Sequence, residues 1–550
     1  MSRARRARGL TGATVVAAGL PLIFLLVFFV LPLAGMTARG FLPEGHLDLG
    51  GVAEVLGSRR IRRVLWLTLA QAVLGTALSV CLGLPVAYTL YRLRFAGRGV
   101  VRAVVMVPFV LPTVVVGVAF RSLLAEQGPL GGLHLDGSWT AIIAGLVFFN
   151  VSVVVRTVGT AWAGLDHRAE DSAAALGASP WQVLTTITLP ALRPAILSAA
   201  SVVFLFCATA FGIVLTLGGL RYGTIETEIY LQTASFLDLG TAAVLSVIQL
   251  VLVVGLLAVV AGARGGGRAA RVGRDPGRRP GRGDLPALTV TTLVVAFLLA
   301  PMLSLLVRSL RREGTWTLAS YRALGTTGEG NALLVPASDA LRMSLVVALN
   351  ATVIAVALGL LVAFVVSRPA STAAGHRART LFDGAFMLPL GVSAVTIGFG
   401  FLITLNRPPL DLRSSSVLVP IAQATVALPL VVRTITPALT AIDDRLRQAA
   451  SVLGASPWRA LVTVDLPVLW RPLLAATGLA MAVSMGEFGA TAFLARADQP
   501  TLPVVIFRLI GRPGAENLGM AMAASVILAV VTVVLMGLVE RLDVRGTGAF

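Results

Sequence analysis

Twelve stretches of mostly apolar residues, each near the ~20 that a helix needs to cross a bilayer, recur along this chain and exclude most folds. They centre near Phe24, Ala77, Pro112, Phe149, Phe204, Leu250, Phe297, Val353, Val395, Val426, Val483 and Val531. A soluble helix keeps a polar face, whereas these runs are apolar all round. Charged residues make up only 13% of the 550, against roughly 25% in an ordinary soluble domain. The expected fold class is therefore all-α integral membrane, with twelve transmembrane helices and the lipid bilayer around them.

The formal charge of +19 rests on 45 basic residues, every one an arginine. A basic excess can mark a nucleic-acid binder, but these arginines cluster between the apolar runs, where they set orientation. No nucleic-acid partner is expected. Arg3, Arg5, Arg6 and Arg8, then Arg92, Arg94, Arg98 and Arg102, then seven arginines from Arg264 to Arg282, share one side if both termini are cytoplasmic. Arg59, Arg60, Arg62 and Arg63 fall on the other side and run against that assignment. The first apolar run, Val15 to Leu33, follows basic residues as a signal peptide would. It is long enough to span and shows no clear small-residue cleavage site, so an uncleaved first helix is expected. Cys81 and Cys207 lie inside apolar runs and suggest neither a disulfide framework nor a metal site; no cofactor is expected.

The second constraint is a duplication. EDSAAALGASPWQVLTTITLP, Glu170 to Pro190, returns as RQAASVLGASPWRALVTVDLP, Arg447 to Pro467, with Gly177 and Gly454 separated by 277 positions. Leu65 to Arg92 likewise matches Leu341 to Arg368 without a gap, and Met106 to Phe120 matches Met387 to Phe401. Six spans per copy restore the starting side of the membrane, so the repeats are parallel and related by a pseudo-twofold axis along the membrane normal. The expected organisation is a first repeat over 1–262, an Arg-, Gly- and Pro-rich cytoplasmic linker over 263–286 and a second repeat over 287–550. Within each duplicated loop an alanine-rich helix meets a glycine suited to the left-handed residue after a helix end. Ser179-Pro180-Trp181-Gln182 then reads as an N-cap, a first-turn proline and a capping box. In the second copy Ser456 and Pro457 keep the cap, while Arg459 removes the reciprocal bond.

Two readings of this helix, bend and helix are open: an amphipathic connector lying on the bilayer, or a docking element for a partner. The spacing is strict in both copies. Asp171, Ser172 and Ala173 are followed by Gly177, Ile187, Leu189 and Pro190; Gln448, Ala449 and Ala450 are followed by Gly454, Val464, Leu466 and Pro467. This pattern resembles the EAA loop of the membrane subunits of binding-protein-dependent ABC importers. Asp171 and Gln448 stand where that family usually has glutamate, and Ser172 replaces the first alanine. The resemblance implies that the loops are cytoplasmic coupling helices, each seated in one of two copies of an ABC ATPase subunit. It implies an extracellular or lipid-anchored substrate-binding protein as a further partner, and a multi-pass place in a bacterial plasma (inner) membrane. The chain cannot be its own motor, because a P-loop needs a lysine and there is none. It is expected to be a transporter subunit and not an enzyme.

In a fused chain of this length, the segments Phe204 to Tyr230 and Val483 to Leu494 resemble the two-repeat permeases for thiamine and for ferric iron. That resemblance implies a small solute, thiamine or a related cation first and ferric ion as the alternative. From another class, an ion-coupled secondary transporter can also have two parallel halves, but it needs ionisable residues in its spans. Hydropathy places Glu487 inside the eleventh run, flanked by Gly486 and Gly489, whereas its counterpart in the first copy is the neutral Ala210, before Phe211 and Gly212. An ionised group at the bilayer centre is costly, so Glu487 should face the bundle interior. Glu487, Gly486, Gly489, Phe211 and Gly212 are the expected pathway residues, with Glu487 either favouring a cationic substrate or ordering the packing through a hydrogen bond. His46, His134, His167 and His376 fall in loops without paired ligands and give no catalytic site.

Overall fold

The computed structural model describes residues 17–42, 45–46, 48–166, 168–219, 221–263, 277–312, 314–368, 372–406, 408 and 410–543. Ten helices among them are long and apolar enough to cross a membrane. Two further pairs, Arg98–Val110 with Thr113–Leu124 and Ala373–Gly391 with Ala394–Thr404, pass the same test together but bend by 109° and 96°. Counting each bent pair as one span gives twelve. The bends fall where proline stands: Pro112 caps the helix Thr113–Leu124, and Pro389 lies in the tight turn Leu388–Gly391. Proline has no N–H to donate and its ring clashes with the preceding turn, which favours a break at either place, although Pro85 and Pro429 lie inside helices that continue past them. Strand structure among the described residues is one pair of two-residue strands, Arg311–Arg312 with Thr315–Trp316.

The repeats build the same core twice. In the first, the helices Arg59–Arg92, Trp139–Ala163 and Leu189–Ala208 pack mutually; in the second, Ala337–Ser367, Leu418–Thr440 and Leu466–Gly486 do so. Small residues set the approach, as expected where lipid supplies no hydrophobic drive between helices. A Cβ on Gly83 would sit 2.7 Å from Val154, and one on the equivalent Gly359 would sit 2.5 Å from the equivalent Val431.

Each repeat lends its opening helix to the other. Within the N-terminal helix Ala17–Phe41, Leu25 and Phe29 pack with Leu358, Val362 and Phe386, and Phe28 meets Phe401 at a centroid distance of 6.1 Å. Conversely, the helix Leu285–Ser309 lies on the first repeat: Thr291 bonds to Thr89, Ser304 to Ser122, both at 3.0 Å, and Arg308 donates to the Ser122 carbonyl at 2.7 Å. The two halves are therefore clasped from both sides.

Two local features answer questions of charge. The helix Arg59–Arg92 has 34 residues, about 51 Å at 1.5 Å per residue, against a hydrocarbon core of ~30 Å. Arg59, Arg60, Arg62 and Arg63 thus form the first turns of an over-long helix, and Arg60 is paired, 2.8 Å from Glu228 and stacked over Phe236. Most of the linker, 264–276, and the arginines of the first eight residues lie outside the described residues. The end of the linker is tied down: Arg278 pairs with Asp284 at 2.6 Å, reaches the Tyr88 hydroxyl at 2.7 Å, and exchanges backbone bonds with Arg92 and Arg94.

Candidate functional site

The duplicated loops form a helix, a bend and a helix in both copies. After Arg168–Ala175, Gly177 has φ +91°, and after Asp444–Val452, Gly454 has φ +81°. The bonds around each are those of a Schellman end: Ala178 N–H to the Ala173 carbonyl and Gly177 N–H to Ala174, then Ala455 to Ala450 and Gly454 to Ser451. The next helix starts at once. The Ser179 hydroxyl accepts from Gln182 N–H at 3.3 Å while the Gln182 carboxamide accepts from Ser179 N–H at 2.8 Å. Ser456 accepts from Arg459 N–H at 3.2 Å, and Arg459 has no acceptor to give back. Both second helices then contain a wider π turn, Leu184–Thr188 and Leu461–Asp465. These turns carry Thr188 and Asp465 inward.

What holds each hairpin to the bundle differs in sign between the copies. In the first, Glu170 accepts from Arg92 at 2.5 Å and from the Thr188 hydroxyl at 2.7 Å. In the second, Arg447 stands at the place of Glu170 and Asp465 at the place of Thr188, and they pair at 2.8 Å, with Arg368 3.4 Å from the same carboxylate. Arg92 and Arg368 close the long helix of each repeat. The carboxylate has moved from one arm of the hairpin to the other, and the tie to the long helix has been kept. Sequence reading passed over Glu170, Thr188, Arg447 and Asp465, although their equal spacing from the two glycines was there to be seen.

The motif positions divide by exposure. Asp171, Ser172, Gln448 and Ala449 are exposed, whereas Ala173, Ala450, Ile187 and Val464 are half-buried. Leu189 is half-buried, its equivalent Leu466 is exposed, and Pro190 and Pro467 both lie on the surface. At the bends Leu176 is 90% exposed and Leu453 87%, with Trp181 and Val452 also open. Among the described residues, nothing covers these apolar side chains at the tips of the two turns.

The expected pathway residues converge at the boundary between the halves. Phe211 and Phe488, equivalent in the two repeats, stack across it with centroids 5.2 Å apart and planes 22° apart. Tyr230 lies 5.6 Å from Phe211 and Phe507 5.4 Å from Phe488, at the same sequence spacing in each repeat. Gly212 and Gly489 allow the close approach: a Cβ would meet Thr113 at 2.3 Å and Ala394 at 3.0 Å, the first residues after the two helix breaks. Gly486 packs on Pro112 in the same way. Beside this aromatic pair opens a cavity of about 260 Å³, lined by residues of both halves including Phe211, Gly212, Gly486, Glu487 and Gly489.

Glu487 does not continue its helix. Leu466–Gly486 ends there, and the Glu487 carboxylate turns forward to accept from Ala490 N–H at 2.7 Å, Thr491 N–H at 3.1 Å and the Thr491 hydroxyl at 2.5 Å. The expected lone charge is also corrected. Glu226, on the helix Ile225–Ala234, is fully buried and lines the same cavity, so the first half supplies a carboxylate too, from a position occupied by Pro503 in the second. A period of twelve apolar runs hides Glu226, because its short helix lies between two of them. Among the described residues no group of three His, Cys, Asp or Glu comes together to hold a metal ion. His376 lies within the helix Ala373–Met387, not in a loop as expected, and His167 falls outside the described residues.

The model of the "Binding-protein-dependent transport system inner membrane component" family matches twice, over residues 79–264 and 355–546. The chain belongs to that family. It is the permease subunit of an ABC importer, a multi-pass inner-membrane protein whose ATPase is a separate subunit and whose partners include a periplasmic binding protein. The ion-coupled carrier considered from sequence is thereby set aside. The permease is 28% identical to the thiamine transport system permease protein ThiP of Escherichia coli over 86% of this chain and 88% of that one. It is 29% identical to ThiP of Brucella abortus over 89% of each. A putative 2-aminoethylphosphonate transport system permease protein, PhnV of Salmonella typhimurium, is 29% identical over 47% of this chain and 94% of its own length. The single-repeat length of PhnV fits a permease here that is two such units in one chain.

Proposed function

We propose that this permease forms the translocation path of an ATP-driven importer for thiamine or a closely related organic cation, with both termini cytoplasmic and one ATPase subunit under each hairpin. The repeats are taken as 1–262 and 287–550. The observation that carries the coupling is the pair of equally built hairpins, each fixed to the long helix of its repeat and each presenting a bare leucine, Leu176 or Leu453, at a left-handed bend. Asp171, Ser172, Ala173, Gly177, Ile187, Leu189 and Pro190, with Gln448, Ala449, Ala450, Gly454, Val464, Leu466 and Pro467, are assigned to this contact. A helix turn that protrudes and is held by a salt bridge transmits a push from below to the helix above it.

The substrate assignment draws on the likeness to ThiP proteins and on the character of the cavity, which is aromatic and acidic. Gly486, Glu487, Gly489, Phe211 and Gly212 are assigned to the narrow part of the path, where the stacked phenylalanines of the two halves meet. Proteoliposomes holding the permease, its ATPase and its binding protein test the reading. Uptake of labelled thiamine driven by internal ATP, undiminished when ion gradients are collapsed, is the expected result. Uptake of ferric ion in place of thiamine, or none of either, overturns the substrate assignment.

A further inference from the structure

Two buried carboxylates face the cavity, and their hydrogen bonds differ in kind. The donors to Glu487 all come from its own turn, two backbone N–H groups and one hydroxyl within four residues. They travel with it and leave it a structural cap. The donors to Glu226 come from elsewhere: the Gln249 carboxamide reaches one oxygen at 3.1 Å, and the Ser393 hydroxyl, from the other half of the molecule, reaches the second at 2.9 Å. The second bond joins the two halves, so it would open if they separated at this point.

A further group points to a ligand. Asn150 is 1% exposed and lines the cavity; its amide donates to the Leu146 carbonyl at 2.9 Å, but its carboxamide oxygen has no hydrogen-bond partner. A buried acceptor without a donor is destabilising. Among the described residues lining the cavity there is no arginine or histidine to answer either the carboxylates or this oxygen. Phe149, Phe206, Phe211 and Phe488 contribute aromatic surface to the same wall, and aromatic faces attract cations. The lining thus offers acceptors, two carboxyl groups and π faces, and suits a positive, flat group that carries N–H.

We propose that Glu226, and not Glu487, selects a positively charged substrate during passage, with the Asn150 oxygen accepting from an amino group of the same ligand. The substrate class is a compact heteroaromatic cation bearing an amine, a class that includes thiamine; the proposal rests on the reading of this cavity as the translocation path. As the halves part, the Ser393 bond to Glu226 opens and the cation takes its place. Glu487 holds its turn throughout.

The probe pair is 1-methyl-4-aminopyridinium and 4-methylaniline, equal in shape and amine but different in charge at neutral pH. Equilibrium dialysis of each against the purified permease–ATPase complex gives a charge preference, the ratio of their affinities. We expect the wild-type complex to prefer the cation at least tenfold. Glu226→Gln should abolish the preference, Glu487→Gln should leave it, and Asn150→Leu should weaken both ligands alike. Ser393→Ala, which releases one oxygen of Glu226, should raise the preference and reads out the proposal even if Glu226→Gln fails to assemble. A preference that survives Glu226→Gln, that is lost equally in Glu487→Gln, or that Ser393→Ala leaves unchanged overturns it. Thiamine does not enter this measurement, so a complex that binds the pyridinium through Glu226 but imports no thiamine removes only the substrate assignment.

Discussion

Gly177 and Gly454 show how much a single residue decides. Their φ values of +91° and +81° lie in the region that L side chains avoid, and open space surrounds the point where a Cβ would stand. Substitution there meets no clash, only a backbone penalty of about 1–2 kcal/mol. That is too small to unfold a bundle of this size and large enough to re-aim a two-turn helix. Replacing both glycines by valine should leave the permease in the membrane at normal amount, measured by blotting of washed membranes. It should also cut ATP-driven uptake at least tenfold; normal uptake in the double variant would refute the coupling role.

At the scale of elements, each hairpin is held to its long helix by a polar clamp, and the two clamps are different solutions to one requirement. Asp465 is 1% exposed in its side chain and faces both Arg447 and Arg368. Removing one partner of a buried pair is destabilising, and here Asp465 is the buried member while Arg447 and Arg368 are partly exposed. Asp465→Ala should therefore lower uptake strongly, whereas the double change Arg447→Glu with Asp465→Thr, which copies the arrangement of Glu170 and Thr188, should recover most of it. Equal uptake by the single and the double variants would show that the clamps are incidental.

The hairpins were legible in the sequence because caps, bends and prolines are local, and LGASPW spells them within six residues. The helix breaks were half legible: Pro112 and Pro389 mark the place but not the angle. The clamps and the cavity were not. Arg92 meets Glu170 across 78 positions of chain and Ser393 meets Glu226 across 167, and no periodicity carries contacts of that range. Glu487 misled for a different reason: its contacts are local, but hydropathy averages over a window and does not see a helix stop at Gly486 and a side chain fold forward onto Thr491.

Taken whole, the molecule is one chain doing the work of a symmetric pair, with its two hairpins built alike and its two acidic groups drawn from non-equivalent places. One chain with two hairpins calls for two ATPase subunits. Native mass measurement of the purified complex should give one permease to two ATPases, and a second permease copy per complex would be incompatible with the proposed assembly. The exchange of opening helices also has a consequence in time. Leu25, Phe28 and Phe29 leave the ribosome first, but Leu358, Val362, Phe386 and Phe401, the residues that receive them, are synthesised more than three hundred positions later. Synthesis runs from the N-terminus, so this end of the first helix must wait in lipid without these neighbours, although its other end, at Gly40, already has Ala243 and Val244 of its own repeat to pack on, and the bundle can close only when the second half has arrived.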